Sequence, residues 1–309
     1  MRKALVTGGA GFIGSHLTSH LLQNGFSVRV LDNLSTGNKA NLSEYLQDID
    51  FIQGDIRDIS VVEKSLQGIE VVFHLAAQIS VAESMIDPAK CFDINVTGTQ
   101  LLLQKAAEAS VEKVVISSSA AVYGEQEVMP VNEDATLRPL SPYAASKQID
   151  EVLGGLYSRS YNLSVICLRY FNVFGTRQDP NSSYAAAIPI FIQRMLAKKA
   201  PILYGDGSQT RDFIYVSDVA RANMLAVNKG PDSGAIMNIC TGKQISVLDL
   251  LHQLQELIPG TPDIQMQPAR SGDIYRSFGD PQLAKRLISF ENSVEFQEGL
   301  ARTIEWMKK

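Results

Sequence analysis

The chain has 309 residues, 45% of them hydrophobic and 20% charged, which is enough apolar material for one large or two modest domains with a substantial core. A net charge of −5 with scattered Lys and Arg gives no basic footprint and disfavours nucleic acid as a partner. No apolar run approaches the ~18 residues of a spanning helix, and Ala4–Val6 is too short for a signal-peptide core, so a soluble, cytoplasmic protein is expected. Cys91, Cys167 and Cys240 are odd in number and widely spaced, which argues against both a disulfide framework and a thiolate metal site.

Short β-branched runs alternate with longer amphipathic stretches through the first half, the pattern of a parallel sheet with crossover helices. Strands are expected at Lys3–Thr7, Ser27–Leu31, Asp50–Gln53, Val71–Leu75, Lys113–Ser117 and Ser164–Arg169. Helices are expected near Gly11–Asn24, Ser60–Leu66, Cys91–Ala109 and Tyr143–Tyr161. Right-handed crossovers then give an α/β, doubly wound Rossmann-type sheet. Past Asn172 the chain is punctuated by Pro180, Pro189, Pro201 and a Gly205-Asp206-Gly207-Ser208 turn, which marks a second, smaller α/β lobe. The expected division is residues 1–172 for the first domain and 173–309 for the lobe. A helix near Ser217–Asn228 and a strand near Ala235–Cys240 return residues 212–240 to the first domain. A last helix around Val294–Lys308 aligns Phe296, Leu300 and Ile304 on one stripe.

Thr7-Gly8-Gly9-Ala10-Gly11-Phe12-Ile13-Gly14 follows the first strand directly and opens a helix. Gly9, Gly11 and Gly14 satisfy the general dinucleotide spacing, and Gly8, Gly11 and Gly14 a wider form of it. Glycines in such a turn let backbone N–H groups and a helix N-terminus approach a pyrophosphate, with Phe12 and Ile13 beginning that helix. Asp32, 18 residues beyond Gly14, ends the second strand, where a carboxylate accepts hydrogen bonds from adenine-ribose hydroxyls and repels a 2′-phosphate. NAD is therefore expected over NADP, with Asn33 beside Asp32, and Asp55 and Ile56 flanking the adenine. An Asp at a strand end is also a common turn cap.

Tyr143 and Lys147, four apart at the start of a helix, project from one face, so that an ammonium sits beside a phenol. A free Tyr ionises near pH 10; work as a base near pH 7 needs roughly 3 units of depression, which a fixed ammonium and a positive nicotinamide supply. Ser117, Ser118 and Ser119 run off the end of the fifth strand, where open α/β sheets hold ligands. Ser119 is the expected catalytic hydroxyl, with Ser117 lining the cofactor. His16 and His20, i and i+4 on the first helix, lack a third ligand, so no metal is expected; His74 reads as core and the Glu133-Asp134 pair as solvated charge.

The glycine motif, strand-end serines and Tyr-x-x-x-Lys occur in the order and spacing of the extended short-chain dehydrogenase/reductase family. Across its whole length the chain resembles nucleotide-sugar epimerases of the UDP-galactose/UDP-N-acetylglucosamine 4-epimerase type. Further matches are His74-Leu75-Ala76-Ala77, Asn95-Val96-Thr97-Gly98-Thr99, Ser117 through Gly124, Arg169 through Gly175, and Gly205-Asp206-Gly207 through Arg211-Asp212-Phe213. The resemblance implies a bound NAD that transiently oxidises a sugar 4-hydroxyl, with Tyr143 as base, Ser119 as its partner and Lys147 as ribose anchor. It implies that Leu75, Ala76, Ala77 and Asn95 line the NAD site. It assigns Asn172, Ala187, Arg211, Arg270 and Asp273 to the nucleotide sugar, with Tyr204 packing on the base and Ser277 beside the sugar's C2 substituent. A Tyr at that last position tends to exclude N-acetyl groups, whereas Ser admits them.

Related 4,6-dehydratases and decarboxylating synthases carry acidic residues just after the strand-end serines; here stand Ala120 and Ala121, which favours epimerisation. A UDP-glucuronate 4-epimerase, a nucleotide-sugar 4,6-dehydratase and a non-catalytic NAD-binding protein remain as alternatives. The helices Cys91–Ala109 and Tyr143–Tyr161 resemble those of the family's four-helix dimer interface, so a homodimer is expected.

Overall fold

The computed structural model describes residues 1–180, 187–269 and 274–309. In chain order the first half contains β1 (Lys3–Thr7), α1 (Phe12–Gln23), β2 (Ser27–Asp32), β3 (Ile49–Gln53), α2 (Ile59–Leu66), β4 (Val71–His74), α3 (Val81–Ile86), α4 (Pro88–Phe92), α5 (Gly98–Glu108), β5 (Lys113–Ser119), α6 (Pro142–Ser160) and β6 (Ser164–Tyr170). There follow β7 (Asn172–Phe174), α7 (Ala187–Leu196), β8 (Ile202–Tyr204), β9 (Thr210–Arg211), β10 (Phe213–Tyr215), α8 (Val216–Lys229), β11 (Ala235–Ile239), β12 (Ile245–Ser246), α9 (Val247–Leu257), β13 (Gln265–Gln267), β14 (Arg276–Ser277), α10 (Gln282–Ile288) and α11 (Phe296–Met307).

Seven strands form one parallel sheet in the order β11-β6-β5-β4-β1-β2-β3. The chain winds outward from β1 to β3, then returns to β4 and winds the other way. The direction therefore reverses between β1 and β4, where Thr7 lies in register with His74. Open α/β sheets bind ligands at the carboxyl ends beside such a reversal.

Helices cover both faces, as a buried parallel sheet requires. Leu17 and Leu21 of α1, Ala222 and Ala226 of α8, and Ala284 and Ile288 of α10 fill one side. Val62 and Leu66 of α2, Leu102 and Ala106 of α5, and Tyr157 of α6 fill the other. Thus α10, far along the chain, also packs on the sheet. A separate cluster joins α7, α9 and α11 through Ile192, Leu250, Leu254, Leu300 and Ile304. Phe174 meets Phe213, Tyr215 and Phe296 edge-on in that cluster.

The expected helix Cys91–Ala109 is divided. A π turn spans Asp93–Thr97 between α4 and α5 and carries the buried Asn95. Among the described residues, no helix is long and apolar enough to cross a membrane.

Candidate active site

β1 runs into a turn that only glycine fits at two points. Gly8 has φ of +69°, and a Cβ there would lie 2.7 Å from the Ala76 backbone nitrogen; one at Gly14 would lie 2.1 Å from the Gly8 carbonyl oxygen. Gly11 caps α1 in extended conformation without a side-chain hydrogen bond, so the first amides of the helix stay open to an anion. Phe12 and Ile13 begin α1 and pack toward the second lobe. The cradle fits a dinucleotide pyrophosphate.

Asp32 closes this turn from β2: its Oδ2 accepts from Ala10 N at 2.9 Å and its Oδ1 from Leu34 N at 2.8 Å. Burial raises its pKa, and those two backbone donors oppose the rise. Asn33 is exposed and donates to Asp55 Oδ2 at 2.9 Å. Hydrogen bonds from the Arg57 side chain, ahead of other contributions, hold the Asp55 carboxyl well below the usual carboxylate range. Ile56 is buried beneath this corner. The corner thus presents a prearranged rim of carboxylates and amides.

On the other side of β1, Leu75 N donates to Thr7 O at 3.1 Å and Ala76 N to Thr7 Oγ1 at 3.2 Å, and Ala77 follows on the same half-buried loop. Asn95 is fully engaged by protein groups: its Oδ1 accepts from Gln78 N at 2.7 Å, and its Nδ2 donates to Gln78 O at 3.0 Å and Ser146 Oγ at 2.9 Å. Its amide therefore pins the 75–78 loop to α6. His74 is interior; burial, and next the charge of Lys147, push its pKa down to about 3. The neutral ring bridges Thr7 Oγ1 at 2.7 Å and Thr99 Oγ1 at 2.9 Å.

β5 delivers three serines with different fates. Ser117 is half-buried. Ser118 turns inward and donates to Glu151 Oε1 at 2.6 Å, which commits its proton. Ser119 Oγ instead accepts from Ala121 N at 3.2 Å, capping the 3-10 turn Ala120–Tyr123, and that bond leaves the hydroxyl hydrogen for another acceptor. α6 packs against β5 and starts cleanly, with Ser141 Oγ accepting from Ala144 N at 3.1 Å and Pro142 in the first turn. Tyr143 is half-buried in that turn, and Lys147 lies buried one turn on, its Nζ 3.3 Å from Asp150 Oδ2.

A buried network stands behind these elements. Arg169 of β6 forks onto Glu151 through Nε at 2.8 Å and Nη2 at 2.7 Å, and its Nη1 donates to the Tyr123 hydroxyl at 2.8 Å. Tyr123 donates in turn to Asn238 Oδ1 at 2.6 Å. Glu133 corrects an expectation: it is not a solvated charge, because its Oε1 accepts from Asn238 N at 2.7 Å while only Asp134 of the pair is exposed. His16 is likewise engaged, its Nε2 lying 2.9 Å from Thr176 O, and burial pushes its pKa down to about 4.

Beside β7, β9 and β14, Asp212 gathers three of the expected substrate residues. Asn172 N donates to Asp212 O at 3.0 Å, and Asp212 N donates to Ser277 O at 2.8 Å. Ser277 is also the register partner of Arg211 between β14 and β9. The Asp212 carboxylate, fully buried, accepts from Thr241 N, Thr241 Oγ1 and Gly242 N at 2.7 to 2.9 Å. Tyr204 ends β8 half-buried, and Ala187 is exposed at the start of α7. Arg270 and Asp273 lie outside the described residues. Asp212 stands within the Arg211-Asp212-Phe213 match without a role assigned to it, and Glu151, one helical turn beyond Lys147, is not singled out by the sequence; an acid i+4 to the motif lysine is the signal that points to it.

The model of the NAD dependent epimerase/dehydratase family matches residues 4–240. The chain belongs to that family. NAD is accordingly its cofactor. The chain is 43% identical over 306 residues to a putative UDP-glucose 4-epimerase of Methanocaldococcus jannaschii, with 98% of each covered. It superposes with a TM-score of 0.95 on the UDP-glucose 4-epimerase of Thermotoga maritima solved with UDP-glucose, at 39% identity over 99% of this chain and 98% of that one. The UDP-N-acetylglucosamine 4-epimerase of Methanobrevibacter ruminantium, solved with UDP-N-acetylmuramic acid, also gives 0.95, at 38% identity over 99% and 98%.

Proposed function

We propose that this family member interconverts the C4 epimers of a UDP-hexose, UDP-glucose with UDP-galactose and UDP-N-acetylglucosamine with UDP-N-acetylgalactosamine, through a transient 4-keto sugar. The observation that carries the reading is the end of β5: one serine with an uncommitted proton, followed by Ala120 and Ala121 rather than an acid. Tyr143 takes the proton of the sugar 4-hydroxyl, and Ser119 hydrogen-bonds the same oxygen as it becomes a carbonyl. Lys147 supplies the charge that makes the phenol acidic and anchors the nicotinamide ribose. NAD, when bound, supplies a reversible hydride acceptor. With no residue at 120 or 121 to move a second proton, the keto sugar has no route to elimination; it turns over and is reduced on its other face.

Asn172, Arg211, Arg270 and Asp273 are proposed to hold the diphosphate and uridine, with Tyr204 on the base and Ala187 beside them; a guanidinium fork suits phosphate oxygens. Residues 1–172 with 212–240 form the NAD-binding domain in this reading, and the remainder of 173–309 the sugar lobe. The test is a panel of UDP-sugars incubated without added NAD. Conversion of UDP-glucose or UDP-N-acetylglucosamine to its 4-epimer is expected. A 4-keto-6-deoxy product, or turnover of UDP-glucuronate alone, would replace the proposal with a dehydratase or a uronate epimerase. Ser277→Tyr is expected to slow the N-acetylated pair about tenfold to a hundredfold, the cost of overfilling a pocket, while sparing the other pair. An equal loss for both would remove Ser277 as the gate.

A homodimer in the cytoplasm completes the reading. Ile149, Val152 and Leu156 stand 37%, 63% and 42% exposed along one stripe of α6, an apolar face that a second copy would cover. Val152→Glu is expected to shift sedimentation toward the monomer; an unchanged dimer would point to another face. The three cysteines are buried free thiols, as suits a reducing compartment.

A further inference from the structure

Asp150 takes no part in the reaction as described, yet it is the residue bonded to Lys147. The two side chains are 3% and 0% exposed, and the ammonium lies 3.3 Å from Oδ2. Among the described residues Oδ1 is buried without a hydrogen-bond partner, and the Thr99 side chain joins Lys147 in favouring the ionised carboxyl. A buried pair of this kind is a poor stabiliser compared with apolar side chains of the same volume, so its consequence is sought in the site it adjoins.

We propose that Asp150 is the counter-charge of Lys147, a positioning residue that holds the ammonium on the helix side and weakens its pull on Tyr143. The acidity of Tyr143 is then set by the Lys147–Asp150 pair and not by Lys147 alone. This rests on the reading of Tyr143 and Lys147 as the proton-handling pair. The charged and titratable neighbours are His74 on β4, Cys91 on α4, Cys167 and Arg169 on β6, and Glu151 on α6. Burial keeps His74 neutral and pushes both thiols up, and Glu151 is forked by Arg169. Asp150 is left, among these neighbours, as the group that changes charge near neutrality. Burial pushes Asp150 up to about 6 against the opposing pull of Lys147, so it is ionised above that pH.

Seven residues of helix separate Tyr143 from Asp150, roughly 10 Å along the axis. Removing one negative charge at that distance, at an effective dielectric of about 20, makes a phenol more acidic by about one pH unit. The experiment titrates the NAD-bound protein by tyrosinate absorbance and takes the step that Tyr143→Phe abolishes as that of Tyr143. In Asp150→Asn the step is expected about one unit lower, with the acid limb of kcat following it and KM for UDP-glucose within about twofold. Asp150→Glu, which keeps the charge, should leave the step near its original place. Asp150→Ser gives the same downward shift if the Asn variant folds poorly. A step that stays put or moves up in the neutral variants overturns the inference alone. If Tyr143→Phe abolishes no step, the reading of Tyr143 fails first and takes the inference with it.

Discussion

Tyr143→Phe is expected to lower turnover by about 10³-fold while the protein still carries NAD. A positioned acid or base contributes roughly 10²–10⁴ in rate, and this phenol is asked to move the same proton in both half-reactions. The substitution removes one oxygen and keeps the ring, and the start of α6 is fixed independently by the Ser141 cap and Pro142. Stability should therefore change by no more than ~1 kcal/mol. Ser119→Ala should cost less, because in the proposed mechanism Ser119 orients an oxygen but does not take its proton, and Ser118→Ala should act chiefly through Glu151. The checks are initial rates on UDP-glucose and UDP-N-acetylglucosamine, and NAD released on denaturation. Near-normal rates in Tyr143→Phe would remove Tyr143 from the chemistry; lost NAD with lost rate would make it a cofactor contact.

The expected strands and crossover helices of the first half lie within a few residues of those observed, because each buries a face whose period is written locally. Ser164–Tyr170 is buried throughout and Ser27–Asp32 largely so, on strands paired on both edges within a sheet covered on both faces. The π turn at Asp93–Thr97 was not legible. It exists so that Asn95 reaches Gln78 and Ser146, and neither partner is near it in sequence. The same holds for charge. Asp150 and Glu151 look like the ordinary polar face of α6, but β6 and α5 close over them; only the fold makes Arg169 the partner of Glu151, whereas Lys147 and Asp150 are i, i+3 neighbours on the helix itself. Glu133 reads as solvated until β11 brings the Asn238 amide to it. His74, Asn95, Tyr123, Arg169 and Asp212 stand in the motifs, but their supporting contacts are with residues distant in sequence and are not legible there.

Gly14→Ala is expected to empty the cofactor site, and its comparison with Gly9→Ala separates the two glycine spacings that the sequence left open. In the Gly9-Gly11-Gly14 form Gly9 is essential; in the Gly8-Gly11-Gly14 form Gly8 is. The backbone favours the second, since Gly8 has a φ of +69° and a Cβ on it would meet the Ala76 backbone. At Gly14 all three nearest atoms to an added Cβ are backbone: Gly8 O at 2.1 Å, Gly9 Cα at 2.8 Å and Gly8 C at 2.9 Å. None can move without opening the turn itself. At Gly9 the nearest atoms, at 2.7 and 3.1 Å, are the methyl groups of Val30, and a side chain yields more readily than a turn. Overpacking of this sort costs about 1–3 kcal/mol, and in Gly14→Ala the whole of it falls on the turn proposed to hold the pyrophosphate. NAD affinity should fall by about 100-fold in Gly14→Ala, with a lowered Tm that added NAD restores only in part, and by less than about tenfold in Gly9→Ala. Both are read from NAD content and thermal unfolding with and without added cofactor. Equal losses in the two variants would mean that the turn tolerates no Cβ anywhere, and an occupied site in Gly14→Ala would mean that the pyrophosphate does not lie on this helix.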